Sequence, residues 1–166
     1  MRRALLAVSG LITLTLIGIW ATQDPASNRQ RAMDGALQKE KASLLASLTK
    51  AARNYYSNYG KLPTNARDLG KYTPVPGCAN GSHEMCLNSA PTDYANKPIK
   101  EWFSTCGYYR ILMKTDNNTV NFFAKPLNEG IGRGVSSCFN HSTNILKIRD
   151  MTKRGSSVIA ADCTSE

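Results

Sequence analysis

Five cysteines and two histidines carry most of the reactive chemistry in this chain of 166 residues. Cys78, His83 and Cys86 fall within nine positions of one another, and Cys138 lies three residues before His141. Thiolates and imidazoles at such spacings can hold zinc. The same cysteines oxidise to disulfides if the chain is exported. Compartment decides between these chemistries, so the cysteines must be read together with the segment that precedes them.

That segment favours export. Met1-Arg2-Arg3 is followed by an uncharged, mostly apolar run over residues 4–21, and no charge appears before Asp24. Eighteen residues at the helical rise span roughly 27 Å, close to the hydrocarbon thickness of a bilayer. The two leading arginines place the N-terminus on the cytoplasmic side. The expected location is a membrane crossed once by residues 4–21, with the rest of the chain on its extracytoplasmic side. Three fates remain open for the segment: retention as an anchor, cleavage near Ala21, or cleavage between Gly10 and Leu11. In an oxidising compartment the thiols become bridges, and metal ligation is not expected. Five is odd, so one thiol is left over. The simple assignment pairs Cys138 with Cys163 and Cys78 with Cys86, leaving Cys106 free. Pairing of Cys106 with Cys78 or Cys86 stays open at this stage.

Catalytic patterns are missing from the sequence. There is no phosphate loop, no His-Glu-x-x-His and no Gly-x-Ser-x-Gly. Gly130, Gly132 and Gly134 alternate without the strand and helix that a nucleotide cradle needs, and read as a turn. The carboxylates are scattered. The expectation is a non-enzymatic protein without a cofactor.

The elements around these residues read as α+β. After Asp24-Pro25, where proline breaks or kinks a helix, residues 1–27 give way to a domain over 28–166. Met33, Leu37, Leu44, Leu45, Leu48, Ala52, Tyr55, Tyr56 and Tyr59 recur at helical spacing, which predicts an amphipathic helix over 28–60. Lys39, Glu40, Lys41, Lys50, Arg53 and Asn54 are expected on its other faces. Gly60 and Pro63 end it. The tyrosines read as packing residues more than as a binding face. Residues 61–103 are rich in proline and glycine and predict loops, with one helical turn over 65–69. Residues 104–166 predict an antiparallel sheet: strands over 107–113 and 119–124 around a turn at 116–118, a loop over 126–134, a strand over 144–149, a turn at 153–156, and a short last strand over 158–161.

Net charge is +9. Residues 1–61 hold nine Lys and Arg against three Asp and Glu, so the excess belongs mainly to the N-terminal region. This suits a helix face beside anionic lipid. Contact with DNA or another polyanion is the less favoured reading.

The helix end, Ala51-Ala52-Arg53-Asn54-Tyr55-Tyr56-Ser57-Asn58-Tyr59-Gly60-Lys61-Leu62-Pro63, resembles the exit of the spine helix in bacterial type IV pilins and pseudopilins. The tail is similar to minor pilins of that family: Phe123-Ala124-Lys125-Pro126, a segment carrying Cys138, then Gly155 and Ala160-Ala161-Asp162-Cys163. The likeness covers residues of about 33–63 and 104–166. It implies a long N-terminal helix packed on a small antiparallel sheet, with a cysteine-bracketed C-terminal loop that makes contacts. It also implies a minor or accessory subunit of a type IV pilus or a type II secretion-like apparatus in the bacterial inner membrane, whose partners are other pilin-like subunits or secretion proteins. The alternatives are a DNA-binding pilin-like receptor for DNA uptake, which the resemblance would place on basic residues near the C-terminal loop, here Arg133, Lys147, Arg149, Lys153 and Arg154, and a generic membrane-anchored periplasmic binding protein. Leu11 and Thr15 stand where that family usually has Phe and Glu.

Overall fold

The computed structural model describes residues 25–79, 81–128, 130–155 and 157–164. The apolar run 4–21 lies outside these residues, together with Gly10, Leu11 and the expectations placed on them. Among the described residues no helix is long and apolar enough to cross a membrane. The chain divides into two units, Met1–Ala36 and Leu37–Glu166. The expected boundary at 27/28 falls inside the first.

The architecture is α+β. In chain order the elements are α1 (Pro25–Tyr59), α2 (Ala66–Leu69), β1 (Pro76–Gly77), α3 (His83–Leu87), β2 (Thr92–Asp93), β3 (Glu101–Phe103), β4 (Tyr109–Thr115), β5 (Thr119–Pro126), β6 (Arg133–Asn140) and β7 (Ile145–Arg154). Strands β3 to β7 form one antiparallel sheet in sequential order, and β1 pairs with β2 in a second, two-stranded one.

Within the second unit, α1 buries Gln38, Lys41, Leu45, Leu48, Thr49, Ala52 and Tyr55. These positions follow steps of three and four, one stripe of a helix. The stripe is rotated from the expected one. Lys41, expected on an outer face, is 4% exposed, and its ammonium sits 3.5 Å from the centre of the Tyr109 ring. Met33 and Tyr59, expected on the apolar stripe, are exposed. Lys41 is one turn before Leu45 and two before Leu48, so helical geometry carries it inward. Its methylene stem joins the apolar face and its charge lies against an aromatic face. Gly60 closes the helix at φ +65°, with its N–H donating to the Tyr56 carbonyl at 2.8 Å. Glycine suits this left-handed exit.

One face of the sheet receives this stripe. Ile111, Ala124 and Val135 share a row across β4, β5 and β6, as do Met113, Phe122 and Ser137. Except for Ser137, these join Leu45, Leu48, Ala51 and Ala52 in one core. Burying each leucine there is worth about 1.5–3 kcal/mol. The expected strands over 107–113 and 119–124 are β4 and β5, displaced at their ends, and the Asp116 N–H bonds the Thr119 carbonyl across the turn.

Three expectations need correction. Residues 133–140, divided between a glycine loop and a cysteine-bearing segment, form β6, which lies between β5 and β7. The strand expected over 144–149 continues to Arg154, so Lys153 and Arg154 belong to β7 and not to a turn. Residues 158–161 are not a strand. They lie across the face of β6 opposite the helix. Ser136 Oγ donates to the Ile159 carbonyl at 2.7 Å, and a Cβ on Gly134 would collide with Val158. The loop region 61–103 does hold its helical turn, α2, capped by the Asn65 side chain, but it also contains α3 and β3.

Candidate interaction surface

The tail is fastened to β6 by Cys138–Cys163, with Cα atoms 6.1 Å apart. Cys78–Cys86 is also bonded, Cα atoms 5.6 Å apart, and Cys106 is free. The simple assignment is the one present. Both histidines have other company. His83 stacks on Tyr108 with ring centres 3.7 Å apart, and its Nδ1 lies 2.7 Å from the Cys106 carbonyl oxygen. His141 stacks on Tyr56 at 4.6 Å. Among the described residues no group of three or more His, Cys, Asp or Glu side chains could hold a metal ion.

The alternation of β6 explains how the tail is seated. Val135, Ser137 and Phe139 face the helix, and Ser137 Oγ is 2.7 Å from Thr49 Oγ1. Gly134, Ser136, Cys138 and Asn140 face the other way, where the tail contacts the first three. Asn140 Oδ1 accepts from the N–H of Ser142 at 2.9 Å and so shapes the turn into β7. Thr143 Oγ1 donates to the Cys163 carbonyl at 3.2 Å, which ties the tail to that same turn.

The five basic candidates are distributed along β6 and β7. Arg133 is opposite Arg154, Ser136 is opposite Arg149, and Cys138 is opposite Lys147. Lys153 lies next to Arg154 near the end of β7. Arg149 reaches the tail, its Nη1 donating to the Ala160 carbonyl at 3.5 Å. Acidic groups interrupt the set. Asp150 accepts from Gln38 Nε2 at 3.1 Å. Asp162 accepts from the side chain and the backbone N–H of Thr164, which hold its carboxyl below the usual carboxylate range, with help from Lys147 and Arg149.

Beside this edge lies a depression of about 450 Å³, lined by Arg149, Met151, Lys153, Arg154, Ser157 and Ile159 among others. Its basic members were legible as a charge cluster. Met151, Ser157 and Ile159 carry no such signal. The apolar run containing Ile159 was visible, but nothing in the sequence distinguishes a tail laid on a sheet from a last strand within it.

No protein-family model matches this chain, and neither a curated protein nor a solved structure does. The functional reading therefore rests on the residues themselves.

Proposed function

We propose that the chain is a non-enzymatic, pilin-like protein of the bacterial envelope, a minor or accessory subunit of a type IV pilus or type II secretion-like apparatus. Residues 4–21 would hold it in the inner membrane, and other pilin-like subunits or secretion proteins would be its partners. The observation that carries this reading is a helix face packed on an antiparallel sheet whose far side is strapped by a disulfide-fastened C-terminal tail. Such a tail presents surface for contact while the bridge limits its freedom.

The test is fractionation of the native host with intact-mass measurement. The expected result is recovery from the membrane or sheared-filament fraction with four oxidised cysteines. A mature chain starting at Leu11 would point to filament incorporation, and one starting at Met1 to an anchored accessory role. Recovery from the cytosol with all five thiols reactive would refute the reading.

A second reading, contact with DNA, draws on the distribution of Arg133, Lys147, Arg149, Lys153 and Arg154 along β6 and β7. A gel shift at two salt concentrations tests it, because phosphate contacts weaken steeply as salt rises. No salt-sensitive shift would dispose of it.

A further inference from the structure

The two edges of the main sheet differ. Strand β3 has three residues, and the N–H of Cys78 bonds the Phe103 carbonyl at 3.0 Å, so that edge is short and partly covered. Strand β7 has ten residues and is hydrogen-bonded to β6 on one side; among the described residues no strand lies on the other. Residues 148–150 and 152–154 are exposed along it. A long open edge presents a row of backbone donors and acceptors that an extended chain can match.

Its side chains say what kind of chain. Opposite the helix, Lys147 and Arg149 stand at alternate positions of β7; Lys153 follows beyond a register shift in the β6–β7 pairing and lines the depression together with Met151 and Ile159. On the helix side, Ile148 is 46% exposed. An added strand alternates its side chains between these two faces. Acidic residues on one face would meet Arg149 and Lys153, and apolar residues on the other would cover Ile148. A second copy of this chain is a poor occupant, since two such edges would bring basic rows together. Duplex DNA would use the charges but would not form a strand ladder with the backbone of the edge.

We propose that the outer edge of β7 accepts an added strand from a partner protein, an extended segment with acidic residues at alternate positions. This inference rests on the sheet order and holds whether or not the chain serves a pilus. Basic residues on an edge also deter indiscriminate pairing; the same charges that repel a like edge select an acidic one.

The experiment uses the purified full chain and fluorescein-labelled nine-residue peptides, read by anisotropy. One alternates Glu with Val, a second alternates Lys with Val, and two further Glu peptides are N-methylated at either the odd or the even positions. The Glu peptide is expected to bind at least about tenfold more tightly than the Lys peptide. One N-methylated set should abolish binding while the other retains it, because only alternate N–H groups face the edge. Arg149→Glu with Lys153→Glu should weaken the Glu peptide at least about tenfold. The N-methyl comparison needs no variant and so is independent of folding defects. No saturable binding of the Glu peptide, or an equal response to both N-methylated sets, would overturn the proposal. So would a duplex DNA that binds more tightly than the peptide and is weakened by the same charge reversals.

Discussion

Thr49 Oγ1 and Ser137 Oγ lie 2.7 Å apart, buried between α1 and β6, where one hydroxyl bonds the other across the helix–sheet interface. Thr49 also donates to the Leu45 carbonyl at 2.6 Å, and Ser137 lies 3.4 Å from that same oxygen. Three polar atoms thus satisfy one another inside an otherwise apolar layer. A buried pair of this kind matters less for its net strength than for what is stranded when one member goes.

Thr49→Val leaves Ser137 with only its 3.4 Å approach to the Leu45 carbonyl and should destabilise the domain by about 1–3 kcal/mol, whereas Ser137→Ala leaves Thr49 bonded to that carbonyl and should cost about 0.5–1.5 kcal/mol. The double variant should cost less than the two single costs combined, because it leaves no hydroxyl seeking a partner. Denaturant unfolding of the four proteins measures the coupling. Strict additivity would show that the hydroxyls do not act as a pair.

The two disulfides should differ in worth. Cys138–Cys163 closes a separation of 25 residues, and Cys78–Cys86 one of 8. On the loop-entropy argument the longer bridge stabilises by roughly 3.5 kcal/mol and the shorter by roughly 2.5 kcal/mol. Replacing both cysteines of a pair by serine should lower the unfolding midpoint more for the 138–163 pair. Thermal scans of the two variants decide the order. The reverse order would mean that loop entropy does not set the relative worth of the two bridges.

Where the sequence was readable and where it failed follows from how many faces each element shows to water. Strands β4 and β5 were legible from β-branched and aromatic residues around an Asp-Asn-Asn turn. Strand β6 was not. Helix covers one side of it and tail the other, so Arg-Gly-Val-Ser-Ser-Cys-Phe-Asn carries no alternation of apolar and polar, and its two buried serines look like loop residues. Their hydroxyls are acceptable because Thr49 and Ile159 satisfy them, which only the tertiary fold supplies. Lys41 misled for a related reason: charge suggested an outer face, while helical spacing placed it beneath Tyr109. The basic cluster was readable as composition, but its placement along an open edge depends on β7 running to Arg154.

Asp162 gives the tail a titration signature. Its carboxyl is held below its ordinary value of 3.8, first by the Thr164 side chain and then by the Thr164 backbone N–H. A carboxylate depressed on folding stabilises the tail fully above its unfolded value, and that contribution is lost as pH falls through the lower folded value. Carbon-detected NMR of the Asp162 carboxyl should show a midpoint below 3.8. Thr164→Ala should move it upward while keeping the backbone contribution. An unmoved midpoint would show that the hydroxyl at 2.6 Å is not what holds the proton off.

Gly60 and Gly107 separate conformational cost from steric cost. Both have left-handed backbone, φ +65° and +68°. A Cβ on Gly60 would meet nothing within 4 Å, so Gly60→Ala should cost only the left-handed penalty, about 1–2 kcal/mol. A Cβ on Gly107 would fall 2.6 Å from Cys86 Sγ and 2.8 Å from the Ser82 carbonyl oxygen. The backbone around a disulfide has little room to retreat, so Gly107→Ala should add about 1–3 kcal/mol of overpacking to the same penalty. Denaturant unfolding of the two variants measures the difference. Equal losses would mean that the Cys78–Cys86 loop yields to the methyl group and does not hold the chain at Gly107 in place.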